Sequence, residues 1–409
     1  MEKQQFQAKD LLVLFWCVLI MATTMGIVLL VLSLFFPVVS VEIGVSRSAF
    51  ALTGTITALS AMFAALFWGF FYQKHEIRLP LMLGLLGLGL CFLGFSAAQK
   101  LYHFYILACA VGLLYGGVSI IPVSTIITRY FTKNTGLALS LAMAGSGLGA
   151  MILNPIVNNI INTQSWQAGY RLLAIVVFVV AIPSAFLVTH ITKDQIKPRP
   201  ALQSISKNDE ISAWSTTWFW ALLGAAFLTG LTGAGMLANL PSYMKDIQFS
   251  VNKVSLVTSA YSGSMVLGKF ILGSLYDRLG GKKTTLFAGL TMVASLLLLI
   301  LVKLTPFLIL MVFFLGIGVS MGTVSLTWLT NSFFGKESYS KYYGSVQFGN
   351  SLGTAIGVPL ISLMLEGIGN FTLIWLILAA LSALMLALFL LSIRGNQYHR
   401  SAEILSQIQ

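Results

Sequence analysis

The sequence carries very little charge for its length. Only 9% of its 409 residues are Asp, Glu, Lys or Arg, whereas 57% are hydrophobic. Soluble proteins carry about 25% charged residues, so this composition excludes a soluble protein. The three cysteines, Cys17, Cys91 and Cys109, lie inside hydrophobic runs and form no CxxC pair. No disulfide framework, metal site or cofactor is therefore expected.

Acidic and imidazole side chains are missing from the hydrophobic runs. All 12 Asp and Glu residues and all 4 His residues lie in polar loops or at the ends of runs. Of the 24 Lys and Arg residues, 23 lie in loops or at the ends of runs, and only Lys269 lies in the interior of a run. An ionisable side chain inside a membrane is costly and is by default a candidate for function. No GxxxxGK[ST] motif is present, so nucleotide binding is not expected.

Twelve hydrophobic runs follow one another along the chain. A helix needs about 20 apolar residues to cross a bilayer, and each run is long enough. The sequence therefore predicts an all-α integral membrane protein with twelve transmembrane helices. The runs cover roughly residues 11–36, 48–72, 79–98, 104–129, 136–156, 170–189, 214–239, 254–276, 284–302, 305–331, 344–365 and 371–393.

Basic residues are distributed unequally between the two sides of these helices. The side of the termini receives 17 Lys and Arg residues and the opposite side 6. Because cytoplasmic loops carry the excess of positive charge, both termini are predicted to be cytoplasmic, in a bacterial inner (cytoplasmic) membrane. The net charge of +12 follows this topology and does not gather on one water-facing surface. Nucleic acid is therefore not an expected partner.

The longest polar stretch divides the runs six and six. The predicted organisation is an N-terminal half at residues 1–191, a cytoplasmic linker at 192–212, and a C-terminal half at 213–409 with a short cytoplasmic tail. A shift of 204 residues places Gly69 on Gly273 and Gly112 on Gly316. Parallel six-helix repeats predict a pseudo-twofold axis along the membrane normal, with a substrate cavity between the halves.

The loop after the eighth run has a recognisable sequence, Gly273-Ser-Leu-Tyr-Asp277-Arg278-Leu-Gly280-Gly281-Lys282-Lys283. It resembles the motif G-x-x-x-D-R-x-G-x-K/R-K/R of the major facilitator superfamily, and the resemblance covers nearly the whole chain. It implies the major facilitator fold and a conformational latch. The latch residues are Gly273, Asp277, Arg278, Gly280 and Lys282. In the first-half copy Gln73 replaces the acid, so an acidic latch is not expected there. The alternative is a solvated turn.

A narrower resemblance concerns one branch of that superfamily. Glu42-Ile-Gly44-Val-Ser46-Arg47-Ser48, and Tyr130-Phe131 followed by the glycines of the fifth run, are similar to the monocarboxylate transporter and oxalate:formate antiporter branch. In that branch an arginine eight residues before the motif Asp binds the substrate carboxylate. Lys269 occupies that position here. Lysine binds as a point charge whereas arginine can bind with two parallel hydrogen bonds, so the substrate does not follow from the position.

Lys269 is the main candidate for substrate binding. It lies about 12 Å along its helix from Asp277, close to the middle of a core of about 30 Å. The alternative is a lysine whose stem reaches the cytoplasmic interface, and in either case the side chain avoids lipid. Tyr115, Asn239, Tyr261, Trp328 and Asn331 could complete the site. For each of them, interhelical hydrogen bonding or aromatic packing is the structural alternative.

The resulting prediction is a monomeric secondary transporter, not an enzyme. It moves a small organic anion, a monocarboxylate, by alternating access, with either proton symport or anion exchange. The partners are this anion, protons and the lipid bilayer. One alternative is an exporter of drugs or other hydrophobic compounds, although a cationic drug would require a carboxylate in the cavity. A transporter-like sensor is the other alternative, but the tails and linker offer no partner domain.

Overall fold

The computed structural model describes residues 7–131, 134–193, 213–301 and 305–408. These residues form helices joined by short turns, and no strand occurs among them. The predicted linker at residues 192–212 lies, apart from its first two residues, outside the described residues.

The described residues of the first half form nine α-helices. They are α1 Ala8–Thr23, α2 Phe35–Glu42, α3 Arg47–Lys74, α4 Arg78–Ala97, α5 Leu101–Val118, α6 Ile120–Tyr130, α7 Thr135–Thr163, α8 Trp166–Val176 and α9 Ile182–Ile191. Two π-helical segments, Ile27–Val31 and Val177–Ala181, interrupt the first and sixth spans.

The second half contains five α-helices among its described residues. They are α10 Thr217–Asp246, α11 Val251–Leu298, α12 Thr305–Val319, α13 Val324–Ile368 and α14 Phe371–Ile408.

The helices have the length that a bilayer requires. In the part of the chain that the structure describes, 11 helices are long and apolar enough to cross a membrane, judged by length and composition. The helix from Gly263 to Leu301 is 39 residues long, almost twice the required length. Gly280 interrupts it with φ 75° and ψ 178°, a conformation that favours glycine. This residue separates the eighth and ninth predicted spans, and the predicted fold class is confirmed.

A second glycine separates the tenth and eleventh spans. Gly335 interrupts α13 with φ 67° and ψ 179°. Residue contacts divide the chain into two units, residues 1–198 with 336–344, and residues 199–335 with 345–409. The segment Lys336–Gly344 therefore belongs to the first unit although it follows most of the second in sequence.

Each unit contains the same helix contact. In the first unit, a Cβ atom at Gly112 of α5 would collide with Ser60 of α3. In the second, a Cβ atom at Gly316 of α12 would collide with Ser264 of α11. Both pairs of equivalent residues are 204 positions apart. The offset of 204 residues therefore relates packing contacts as well as residue types. In both units, small residues let two membrane helices approach closely.

Candidate functional site

Lys269 is buried in the second unit. It lies on α11 and its side chain is only 2% exposed. The preceding residue, Gly268, faces α12, because a Cβ atom there would lie 2.6 Å from the main-chain oxygen of Gly316. The Lys269 side chain leaves α11 about 100° away from that contact. This burial agrees with the expectation that the lysine avoids lipid.

Tyr261 lies on the same part of the α11 surface as Lys269. Eight residues correspond to two helical turns plus about 80°, so the two side chains leave neighbouring sectors of the helix. Met265 lies midway, and its sulfur accepts a hydrogen bond of 3.5 Å from the Tyr261 hydroxyl. Tyr261 is 8% exposed. The helix thus places a buried phenol and a buried ammonium along one side.

The two candidate asparagines differ in their hydrogen bonding. The Asn239 side-chain amide donates to the main-chain oxygen of Gly235, 2.8 Å away in its own helix. The Oδ1 atom of Asn331 is buried and accepts no hydrogen bond from the described residues. A buried acceptor without a donor costs about 1–3 kcal/mol. A hydrogen bond donated by a ligand or a water molecule would therefore stabilise Asn331 more than Asn239.

Trp328 packs against the loop motif. Its ring stacks on Tyr276, with the ring centroids 4.7 Å apart and an interplanar angle of 24°. A Cβ atom at Gly281 would lie 2.9 Å from the same indole ring. Tyr276 is in turn hydrogen bonded to Thr285 at 3.0 Å. Trp328 thus has a packing role beside the motif, and its role in substrate binding stays a prediction.

Tyr115 is the one substrate-binding candidate in the first unit. It lies on α5 and lines a cavity that is built from residues of that unit alone. The other five candidates belong to the second unit.

The latch candidates surround the turn at Gly280. Gly273 is buried within α11, whereas the charged residues of the motif, Asp277, Arg278 and Lys282, are exposed. The positive φ of Gly280 ends the eighth span two residues after Arg278 and two residues before Lys282. The motif therefore presents its charged groups at the end of a transmembrane helix, where an acid can interact with a helix terminus or a basic group.

Sequence reasoning missed a contact made by Lys336. Its Nζ atom donates to the main-chain oxygens of Phe131, at 3.0 Å, and Arg129, at 3.4 Å, where α6 ends. A lysine at a helix C-terminus satisfies carbonyls that lack intrahelical partners. Close by, a Cβ atom at Gly69 would lie 2.6 Å from the main-chain oxygen of Ser340. The partners of Lys336 are 205 and 207 residues away in sequence, and no local pattern indicates such a pairing.

Metal ligands do not cluster in the described ranges. No three His, Cys, Asp or Glu residues among them are grouped so that they could hold a metal ion.

Comparison with known proteins matches most of the chain to one family. A model described as Major Facilitator Superfamily matches residues 14–249 and again residues 222–405. Monocarboxylate transporter 12-B of Danio rerio is 23% identical over 417 residues, which cover 92% of this chain and 86% of that protein.

Two further relatives match over shorter regions. The oxalate:formate antiporter of Oxalobacter formigenes is 25% identical over 251 residues, 60% of this chain and 57% of that protein. Multidrug resistance protein MdtG of Enterobacter lignolyticus is 25% identical over 253 residues, 60% of this chain and 58% of that protein. The matched region thus spans less than two thirds of either relative.

Proposed function

The chain belongs to the Major Facilitator Superfamily, and we propose that it is a secondary transporter of a small organic anion, with a monocarboxylate as its substrate. Members of this family are multi-pass membrane transporters and not enzymes. The observation that carries the proposal is the burial of Lys269, the one Lys or Arg in the interior of the twelve predicted spans, inside the second unit.

The charge of the spans favours an anion over a cation. The Lys269 ammonium attracts an anion, and the predicted spans contain no Asp or Glu that would repel a carboxylate substrate. A cationic compound would instead meet a positive charge and no acidic side chain from the spans. The name of the multidrug relative supports the alternative of a drug exporter, but this charge pattern disfavours a cationic drug.

A single lysine can balance the charge of a single carboxylate. In the resembled branch an arginine stands at this position, and its planar fork can hold both oxygens of a carboxylate. The Lys269 ammonium is a compact charge with three hydrogen-bond donors. It therefore requires a less exact orientation of the bound carboxylate than an arginine does. The names of two relatives, which concern oxalate, formate and monocarboxylates, support a small carboxylate substrate.

Uncharged groups complete the proposed site. Tyr261 lies beside Lys269 on α11, and Asn331 has a buried oxygen that can accept a hydrogen bond from a ligand. Asn239 and Trp328 remain proposed contributors from the same unit, and a role of Tyr115, which lies in the first unit, stays a prediction.

A thermal-shift screen of the purified protein tests the substrate class. Small monocarboxylates, dicarboxylates, sugars, amino acids and cationic dyes would be compared at equal concentrations. A ligand that binds only the native state stabilises it by about 2.7 kcal/mol at 100 times its Kd. We expect stabilisation by monocarboxylates. Stabilisation by cationic dyes alone would favour the exporter and contradict the proposal.

We also propose that both termini and the linker are cytoplasmic. A single cysteine replacing Lys197, in a variant without Cys17, Cys91 and Cys109, should not react with an impermeant maleimide in intact cells. A cysteine replacing Lys245 should react, because the positive-inside rule places this end of α10 outside. Labelling of the first variant and protection of the second would reverse the proposed orientation.

Asp277 is proposed to stabilise one conformation without contacting substrate. Asp277→Asn should slow transport at least tenfold and change the substrate Kd by less than about fivefold, because a latch alters the population of states more than the site. The control is Asp246→Asn, the same change at another exposed acid at a helix end. Complete loss of binding in Asp277→Asn would place this residue in the substrate site or in the folding of the protein.

A further inference from the structure

The first unit contains a cavity that Lys269 and the other second-unit candidates for the anion site do not line. Its volume is about 240 Å³, and residues from α2, α3, α4, α5 and α8, together with the interrupted part of the first span, form its wall. All the described residues that line it belong to the first unit.

Aromatic rings form a large part of the wall. Several of them pack against one another, as in the edge-to-face pair of Phe50 and Phe104, whose centroids are 5.0 Å apart. Phe95 and Tyr170 are stacked at 5.1 Å. Rings in both orientations offer faces and edges to a further aromatic ring. The aromatic lining residues are Phe36, Phe50, Phe95, Phe104, Tyr115 and Tyr170.

The aliphatic hydroxyl groups of the wall are occupied by the main chain. The Thr57 hydroxyl is shared between the main-chain oxygens of Thr53, at 2.9 Å, and Ala108, at 3.1 Å. The Thr53 hydroxyl donates to the oxygen of Phe50 at 2.8 Å, and that of Ser33 to Leu30 at 3.3 Å. None of the described lining residues is charged. A carboxylate would lose its hydration here without compensation, so the cavity suits an uncharged ligand.

One side of the cavity is formed where the first span is not α-helical. The π-helix Ile27–Val31 is followed by a 3₁₀-helix, Leu32–Leu34. These segments contribute four lining residues, Val28, Leu29, Leu32 and Ser33. A π-helical turn is an uncommon local structure that occurs frequently at functional sites. The change of helical pitch at this wall is a second observation, independent of the cavity volume, that indicates a site.

We propose that this cavity binds an uncharged hydrophobic molecule with a single aromatic ring, at a site separate from that of the transported anion. An apolar cavity of about 150 Å³ is known to hold benzene, so one of about 240 Å³ accommodates a ring with a short substituent. The inference does not depend on Lys269 or on the identity of the anion. An acyl chain of a lipid has the same apolar chemistry, and the experiment distinguishes the two.

Photolabelling of the full-length protein in lipid nanodiscs tests the proposal. The probe is 3-trifluoromethyl-3-phenyldiazirine, an uncharged compound with one ring, and excess ethylbenzene is the competitor. Lining residues of α3, α5 and α8 should carry label that ethylbenzene displaces. Label on lipid-exposed residues should not be displaced.

Two variants fill the cavity from different walls. Ala58→Leu and Ser33→Leu should each reduce the displaceable label at least tenfold. If one of them does not fold, the other alone is enough to test the proposal. The matched control is Thr55→Leu, which adds the same side chain at an exposed position one turn from Ala58. It should retain the displaceable label within twofold. Lys269→Gln should also retain it, which separates this proposal from that of anion transport.

Two results would overturn the proposal. In the first, the lining residues carry no displaceable label in the unmodified protein. In the second, a photoactivatable acyl-chain lipid labels the same residues and ethylbenzene does not displace it, which would identify the occupant as a lipid chain.

Discussion

Lys269→Gln is expected to abolish substrate binding and transport. The side chain is 2% exposed, so its charge acts in a region that water reaches poorly. Removing one partner of a buried charge pair costs about 3–5 kcal/mol, because the other charge remains buried without compensation. With tenfold in Kd for each 1.4 kcal/mol, the substrate Kd should rise more than about a hundredfold.

Lys269→Arg should retain part of the binding. Arginine preserves the positive charge but replaces a compact ammonium by a planar fork on a longer stem, so the distance to the carboxylate changes. We expect a Kd about tenfold to a hundredfold higher than that of the unmodified protein, a loss of about 1.4–2.8 kcal/mol.

Isothermal titration with the best monocarboxylate of the screen measures both variants. The control is Lys283→Gln, which makes the same change at an exposed lysine beyond the turn of the same helix hairpin. It should bind as the unmodified protein does. If Lys269→Gln binds the carboxylate with undiminished affinity, Lys269 is not the counter-charge of the substrate.

Much of the fold could be predicted because the membrane imposes simple rules. A backbone in lipid must satisfy its own hydrogen bonds, so continuous apolar runs of about 20 residues become helices. The repeat could be predicted from glycines such as Gly112 and Gly316, because only small residues fit where helices approach closely. The turn at Gly280 could be located because it lies in the loop motif at the end of the eighth span.

Contacts that depend on distant residues could not be predicted. Trp328 was considered as a substrate contact because it is an aromatic residue in a membrane helix. Its position against Tyr276 depends on how α11 and α13 pack, and helical periodicity does not contain that information. Lys336 counted only as one of the 17 basic residues on the side of the termini, because the end of α6 that it contacts is about 200 residues earlier in the sequence.

The cavity in the first unit was also invisible in the sequence. Its aromatic side chains come from separate helices, and in the sequence they cannot be distinguished from ordinary apolar positions of membrane spans. The change of pitch at Ile27–Val31 has no proline to indicate it, because this π-helical segment contains only aliphatic residues. Tyr115 was singled out, but for the anion site and not for this cavity.

A proton gradient is also expected to have a large effect on the accumulation of the anion. A carrier with one buried lysine and no acid in its predicted spans can exchange one anion for another, or move an anion together with a proton carried by Lys269 or by the substrate. We propose symport. An inward proton gradient should then drive accumulation of the anion at least tenfold above the level reached without a gradient. Dependence on anion inside the vesicles, with no effect of the gradient, would instead indicate exchange.

Uptake into proteoliposomes tests the central claim of anion transport most directly. Vesicles with empty lumens, vesicles preloaded with monocarboxylate, and protein-free vesicles would receive labelled monocarboxylate, a labelled sugar or a labelled cationic dye, with and without an inward proton gradient. We predict protein-dependent accumulation of the monocarboxylate under the gradient in empty vesicles, and its loss in Lys269→Gln. Protein-dependent uptake of the sugar or the dye, with no response to monocarboxylate in empty or preloaded vesicles, would contradict it.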